Sequence, residues 1–501
     1  MSLPLDKMQT YPKKDIPDGF PVYKFVEAYR RVIADYWRSY STFYATSFNL
    51  ILFANRGLKT ALGLILGWMV ETVIRDGISE PSLPTCDVLL YYSTPKPNTK
   101  PAIEELANRL AQKGLRCVVA TSSTMEIVSA DSASQTKRER VAEYPQLLIH
   151  GLGRWQSCRI LFSSVRDVLV LAILVWRRDP ALFKKIFWDP LNVWYELLLS
   201  AHRLAIVHRL LRKLRPQLII ANGEHIPIAA EMLLSKEASK SKKIWFCNEY
   251  LTTPAMKPML FDEVWVWNQQ VIDEARQTLQ PDIAIKFEVI GRAEIDFALQ
   301  APESCTDEEI EIRQRTHSKH VLLFVSEYIP NHGTRMGEVT AEALRWIAEA
   351  GRQCPDWQFV YKSRPLHHGK DTPGLEIIEG LPNCIIPQSE ISLRNFLSWD
   401  NLVVVTALSS SALLVAAGVG KMALRLLVTS RFTPVPLVDQ TAIPIHSPQQ
   451  LIDILADFER NDLLYKEKLE REWKVLFPHQ GHVLERMESL CLQHLKEMGS
   501  R

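Results

Sequence analysis

The chain has 501 residues, 47% of them hydrophobic and 23% charged, with a formal net charge of +2. That length and apolar share allow large buried cores and favour two domains over one, while balanced charge without a long Lys/Arg block or an aromatic-basic repeat argues against nucleic acid as a partner. The eight cysteines are scattered, with no CxxC and no paired spacing, the pattern of reduced thiols in a cytosolic protein.

Residues 1–19 are polar and proline-containing, without the apolar core of a secretory signal. Residues 1–84 read as an N-terminal helical region, clearest between positions 23 and 75. Within it, residues 48–74 are strongly apolar but broken by Asn55, Arg56 and Lys59. A second apolar run, residues 168–176, stops at Arg177 and Arg178. Neither reaches the roughly 20 uninterrupted residues of a membrane span. Both fit two readings: helices packed on a core, or helices lying in a membrane interface with flanking Trp and Arg/Lys.

From residue 85 the pattern changes to short apolar strands alternating with helices. A strand at 86–92, a helix at 100–113 closed by Gly114 and a strand at 116–120 make a βαβ unit. A helix-rich insertion, about 134–194, interrupts the series. A basic amphipathic helix at 202–214 then leads through Arg215 and Pro216 into a strand at 217–221, with further strands at 243–247 and 263–267. This alternation predicts a mostly parallel sheet covered on both faces. The first domain therefore spans 85–296, and residues 297–319, with an acidic stretch from 302, read as a linker. A second α/β domain follows at 320–447, with strands at 320–325, 358–362, 384–387, 402–405 and 425–428 and helices at 337–351 and 392–399. Residues 448–501 close the chain as helices.

Open α/β sheets bind ligands beyond the carboxyl ends of their strands, which makes the residues just after each strand the candidates. In the second domain these are Ser326, Glu327 and Tyr328 with Asn331, His332 and Gly333; Lys362, Ser363 and Arg364 leading to His367 and His368; and Thr406 to Ser411. Ser409, Ser410 and Ser411 stand between a β-branched run and an Ala/Leu/Val helix. Their hydroxyls and the first-turn N–H groups would converge on a phosphate or pyrophosphate. The alternative is a serine N-cap on an ordinary strand-to-helix turn. Lys362 and Arg364 would meet the diphosphate from the same edge as Ser326, and His367 would stabilise leaving-group charge. For the two cations the alternative is solvated loop charge. Adjacent side chains on an extended segment point opposite ways, and His367 and His368 have no acidic or histidine cluster at ligand spacing, so no metal site is expected.

In the first domain the strand ends include Glu224, His225 and Glu249. Glu224 or His225, or else Glu249, would take the proton from an attacking hydroxyl as general base. A helix cap for Glu224 and a lysine pair for Glu249 are the plainer alternatives.

Taken together these stretches resemble the GT-B-fold glycosyltransferases. The likeness rests on LLRKLRPQLIIANGEH (210–225), VWVWNQ (264–269), FEVIGRAEID (287–296), YKSRPLHH (361–368) and VTALSSSALLVAAGVGK (405–421), and covers about 85–458. The last two are similar to the His-Pro-type and Ser/Thr-rich motifs of bacterial capsule and wall polymer enzymes, including polysialyltransferases and CDP-glycerol glycerophosphotransferases. UDP-N-acetylglucosamine 2-epimerases share the serine-rich turn. The resemblance implies an α/β fold of two Rossmann-like domains flanking a cleft, the first binding the acceptor and the second the donor, with the final helices packed back across the junction. It implies metal-independent, cofactor-free transfer from a nucleotide-activated sugar, or a CMP/CDP-linked donor, to a hydroxyl of a polysaccharide or lipid-linked acceptor. It also implies a cytoplasmic site of action with peripheral contact at the inner face of the plasma membrane.

Three departures stand out. The Glu-x7-Glu pair of many retaining members has no counterpart in 412–420, Arg-Pro-Leu-His stands where His-Pro is expected, and no GxGxxG follows the first strand, against a dinucleotide enzyme. A UDP-sugar 2-epimerase-like enzyme and a non-catalytic GT-B-like binding protein are the competing readings.

Overall fold

Runs of branched and aromatic residues build two sheets in the structure, a computed structural model of the chain. It describes residues 85–92, 99–121, 124–132, 135–143, 177, 207–208, 210–222, 232–233, 235–247, 261–278, 285–300, 305–317, 319–327, 334–364, 372–429 and 436–499. The N-terminal region and the apolar run at 168–176 lie outside these residues. The chain divides into two compact units: residues 1–266, 271–288 and 487–501, and residues 267–270 with 289–486.

The first unit holds β1 (Val88–Tyr92), β2 (Cys117–Thr121), β3 (Thr124–Ser132), β4 (Gln135–Glu143), β5 (Leu218–Ala221), β6 (Lys242–Phe246), β7 (Glu263–Val266) and β8 (Lys286–Val289), in spatial order β4-β3-β2-β1-β5-β6-β7-β8. Strands β2, β1, β5, β6 and β7 are parallel. Every residue of β1, β5 and β7 is buried, which is why β1 and β5, and β7 after its opening Glu263, read as apolar runs without alternation. The helix Lys100–Gln112 joins β1 to β2 and buries Ile103, Leu106, Ala107 and Leu110. Gly114 ends it at φ +82°, a left-handed conformation that favours glycine.

One expectation is corrected here. Residues 135–143, assigned to the start of a helical insertion, form β4, antiparallel to β3. Charged side chains protect an exposed edge strand from unwanted pairing. Arg138 of β4 lies 3.5 Å from Glu104 and 3.7 Å from Glu126, tying the edge to the helix and to β3. Apart from Arg177, the remainder of the insertion lies outside the described residues.

The second unit holds β9 (His320–Val325), β10 (Trp357–Lys362), β11 (Cys384–Ile385), β12 (Leu402–Ala407), β13 (Met422–Leu426) and β14 (Ile443–Ile445), in order β11-β10-β9-β12-β13-β14. All five pairings are parallel. Counted from β9, this is the 3-2-1-4-5-6 order of a doubly wound, Rossmann-like sheet.

The acidic stretch assigned to a linker is also corrected, because it contains the helix Asp307–Thr316. Thr306 caps the helix by accepting from the Glu309 N–H at 3.2 Å, with acids in the first turn and Arg313 and Arg315 in the last to complement the macrodipole. Glu309 is buried and accepts from Asn395 Nδ2 at 2.8 Å and Trp399 Nε1 at 3.3 Å. The FEVIGRAEID segment is left-handed at Gly291, φ +88°, where a Cβ would come within 2.4 Å of the Pro478 carbonyl oxygen. Five residues on, Asp296 accepts the Gly481 N–H at 2.6 Å and the Val483 N–H at 2.8 Å, fixing the start of the helix Val483–Gly499. Among the described residues no helix is long and apolar enough to cross a membrane.

Candidate functional site

The chain leaves β9 toward β10 on one side, whereas β12 pairs with β9 on the other. Such a reversal opens a crevice at the carboxyl ends of the two central strands. Ser326 and Glu327 follow β9, and the segment Leu408 to Ser411 follows β12. Glu327 Oε1 accepts the Ser409 N–H at 2.5 Å, and its Oε2 accepts the Ser409 hydroxyl at 2.8 Å. Burial raises the Glu327 carboxyl above its ordinary pKa, against the bonds from Ser409, the Ser410 N–H and the nearby Arg364 guanidinium.

The three serines therefore differ in role. Ser409 grips an anion, and that anion is the chain's own carboxylate. Ser410 Oγ accepts the Ala412 N–H at 3.2 Å and closes the turn into the helix Ala412–Gly418. Ser411, at φ −60° and ψ −14°, makes no capping bond with its side chain. For Ser410 the local-turn alternative describes the contact.

Lys362 has a partner within the chain. Only 6% exposed, it donates from Nζ to the Ile391 carbonyl at 2.7 Å, and burial lowers its pKa to about 8 despite the opposing charge of Glu390. It braces the loop after β11. Ser326 is buried and its N–H donates to the Lys362 carbonyl at 2.9 Å. Arg364 is exposed and within electrostatic reach of Glu327. Glu224, His225, Glu249 and His367 lie outside the described residues.

Sequence reasoning missed Arg425. Buried on β13, it donates from Nε to the Leu408 carbonyl at 3.0 Å, and its guanidinium pairs with Asp439. It thereby anchors the base of the serine loop. The signal was an arginine inside the apolar strand MALRL, since a charge in such a run is rarely buried without a partner. Among the described residues no group of three or more His, Cys, Asp or Glu side chains is placed to hold a metal.

A fully buried carboxylate lies where strands begin, in the first unit. Lys242, Glu263 and Lys286 open β6, β7 and β8. Glu263, fully buried, pairs with Lys242 at 2.9 Å and Lys286 at 3.4 Å, and accepts from Trp265 Nε1 at 2.9 Å. His494 Nε2 lies 3.1 Å from it, and Lys242 Nζ lies 3.2 Å from His494 Nδ1. A lysine can only donate, so Nδ1 accepts and Nε2 carries the hydrogen given to Glu263. Burial alone raises the Glu263 pKa, but the bonds from His494, Lys242 and Trp265 hold it well below the usual carboxylate range.

No family model matches the chain, and no curated protein matches its sequence. Solved structures match its fold. A putative UDP-N-acetylglucosamine 2-epimerase from Listeria monocytogenes is 12% identical over 82% of this chain and 97% of its own, with a TM-score of 0.51. The UDP-GlcNAc 2-epimerase from Neisseria meningitidis bound to UDP-GlcNAc is 13% identical over 81% and 100%, with a TM-score of 0.47. A variant of the wall teichoic acid polymerase TagF is 10% identical over 90% and 99%, with a TM-score of 0.46. At such identities the likeness concerns the fold, which is of the GT-B type with two Rossmann-like domains.

Proposed function

We propose that this chain is a GT-B-type transferase that moves a sugar, or a polyol phosphate, from a nucleotide-activated donor to a hydroxyl of a polysaccharide or lipid-linked acceptor, without a metal. The supporting observation is the Glu327–Ser409 clasp at the switch point of the second domain. A loop that grips an anion through an N–H and a hydroxyl stands where open α/β sheets take their ligands. In sugar transfer the acceptor oxygen bonds to the anomeric carbon as the carbon–oxygen bond to the nucleotide phosphate breaks. In polyol-phosphate transfer the acceptor attacks the distal phosphorus and the nucleoside monophosphate departs. Either way negative charge grows on the leaving phosphate. The Ser409 and Ser410 N–H groups, the Ser409 hydroxyl and Arg364 would stabilise that charge, with His367 beside them. The acceptor proton would pass to Glu224, His225 or Glu249. Residues 48–74 and 168–176 would give peripheral contact at the inner face of the plasma membrane.

Thermal-shift measurement against CMP, CDP, UDP and GDP tests the reading. A nucleotide at 100 times its dissociation constant should stabilise the protein by about 2.7 kcal/mol. If none of the four shifts the melt, the proposal fails. Glu327 favours one second reading, because an epimerase needs a buried acid facing the sugar from this domain. Incubation with UDP-GlcNAc and no acceptor separates the two, since release of N-acetylmannosamine and UDP would make the chain an epimerase.

A further inference from the structure

We infer that the serine loop of the second domain is occupied by its own chain: the Glu327 carboxylate fills the donors that a nucleoside diphosphate would use, and diphosphate binding must displace it. The inference rests on the transferase reading and adds how that site is regulated.

Ser409 has one backbone donor and one hydroxyl donor. Both are spent on Glu327, at 2.5 Å and 2.8 Å. A phosphate oxygen offers the same charge and the same acceptor chemistry as a carboxylate oxygen, so the two compete for identical partners. The surrounding cations cannot neutralise both anions together. Lys362, at the end of β10, is turned to the Ile391 carbonyl. Arg425, on β13, is committed to the Leu408 carbonyl and Asp439. Arg364, exposed beyond β10, acts on Glu327 itself, leaving it to serve whichever anion holds the loop.

Two like charges on adjoining donors disfavour each other, and the ionised carboxylate yields most easily by taking a proton. The sign follows directly. Falling pH neutralises Glu327, weakens its hold on Ser409 and removes its repulsion of the diphosphate, so nucleotide affinity rises relative to a form that carries no charge there. Burial, which raises the Glu327 pKa, brings that protonation closer to neutrality. The clasp is thus a plug whose removal is coupled to proton uptake.

Titration calorimetry of the full chain with UDP and with CDP at pH 6 and pH 8 decides the matter, using the unaltered protein, Glu327→Gln and Glu327→Ala. Removing the charge should tighten binding about tenfold at pH 8, with the advantage shrinking at pH 6. Binding to the unaltered protein at pH 8 should take up a proton, seen as a heat that depends on the buffer's ionisation enthalpy, and Glu327→Gln should not. Should the variants prove poorly folded, proton uptake by the unaltered protein decides alone. Weaker binding by a well-folded Glu327→Gln would make the carboxylate a ligand contact and overturn the inference. So would nucleotide binding with no proton uptake, while leaving the transferase reading intact. If no nucleotide binds the unaltered protein or either variant, both fall together.

Discussion

Glu263 is fully buried and Glu327 half-buried, and their surroundings push the two carboxylates in opposite directions. Glu263 sits where three strands begin, among Lys242, Lys286 and His494, and its pKa is depressed. Glu327 sits where a strand ends, held by the neutral donors of Ser409, and its pKa is raised. The lesson concerns replaceability. A carboxylate caged by cations cannot leave without stranding them, whereas one held by an N–H and a hydroxyl can be exchanged for another anion at little structural cost.

The largest effect should come from Glu263→Ala. Leaving Lys242 without its counter-charge and His494 without its acceptor should cost about 3 to 5 kcal/mol in urea unfolding, as for other broken buried pairs. A loss below about 1 kcal/mol would erase the contrast between the two carboxylates. The pH dependence follows the same logic. Because the folded pKa of Glu263 lies below the ordinary 4.5, its contribution is whole above that value and declines as pH falls further. Urea unfolding from pH 7 to pH 3 should show the decline, and Glu263→Gln should flatten it.

Asp296→Asn is intermediate and sharpens the comparison. Its carboxylate is also held by neutral donors, the Gly481 and Val483 N–H groups, at the start of the helix Val483–Gly499. An amide can accept only one of those bonds, so a loss of about 1 to 3 kcal/mol is expected in the same assay. Ser409→Ala should alter stability by less than about 1 kcal/mol while weakening nucleotide binding about tenfold in the thermal-shift titration. Smallest of all, Lys362→Met should leave nucleotide affinity within about twofold, because its Nζ already serves Ile391. A larger fall would return Lys362 to the ligand.

The fold was legible in most strands buried on both faces, although β13, buried throughout Met422–Leu426, was read three residues late at 425–428. β9 was read over the residues it occupies, and β12 only two residues short. Charged segments misled, because the same residues serve several ends. Charges along β4 protect an edge, and the acids after Thr306 belong to a capped first turn whose Thr-x-x-Glu spacing was present in the sequence. The candidate site was legible by position and not by partnership. Glu327 and Ser409 were each marked as strand-end residues, but 82 positions separate them and only the strand order brings them together. The Ile391 contact of Lys362 was hidden for a related reason. A lysine ending a strand is ordinarily solvated, and nothing local announces that the loop after β11 folds over it.

The bond between His494 and Glu263 spans 231 positions, and residues 487–501 belong to the first unit. During synthesis the ribosome must therefore translate all of the second unit before the first can acquire its last helix. Until then Glu263 would wait with its lysines but without the imidazole, in a nascent polypeptide whose earlier half matures after its later half has already emerged.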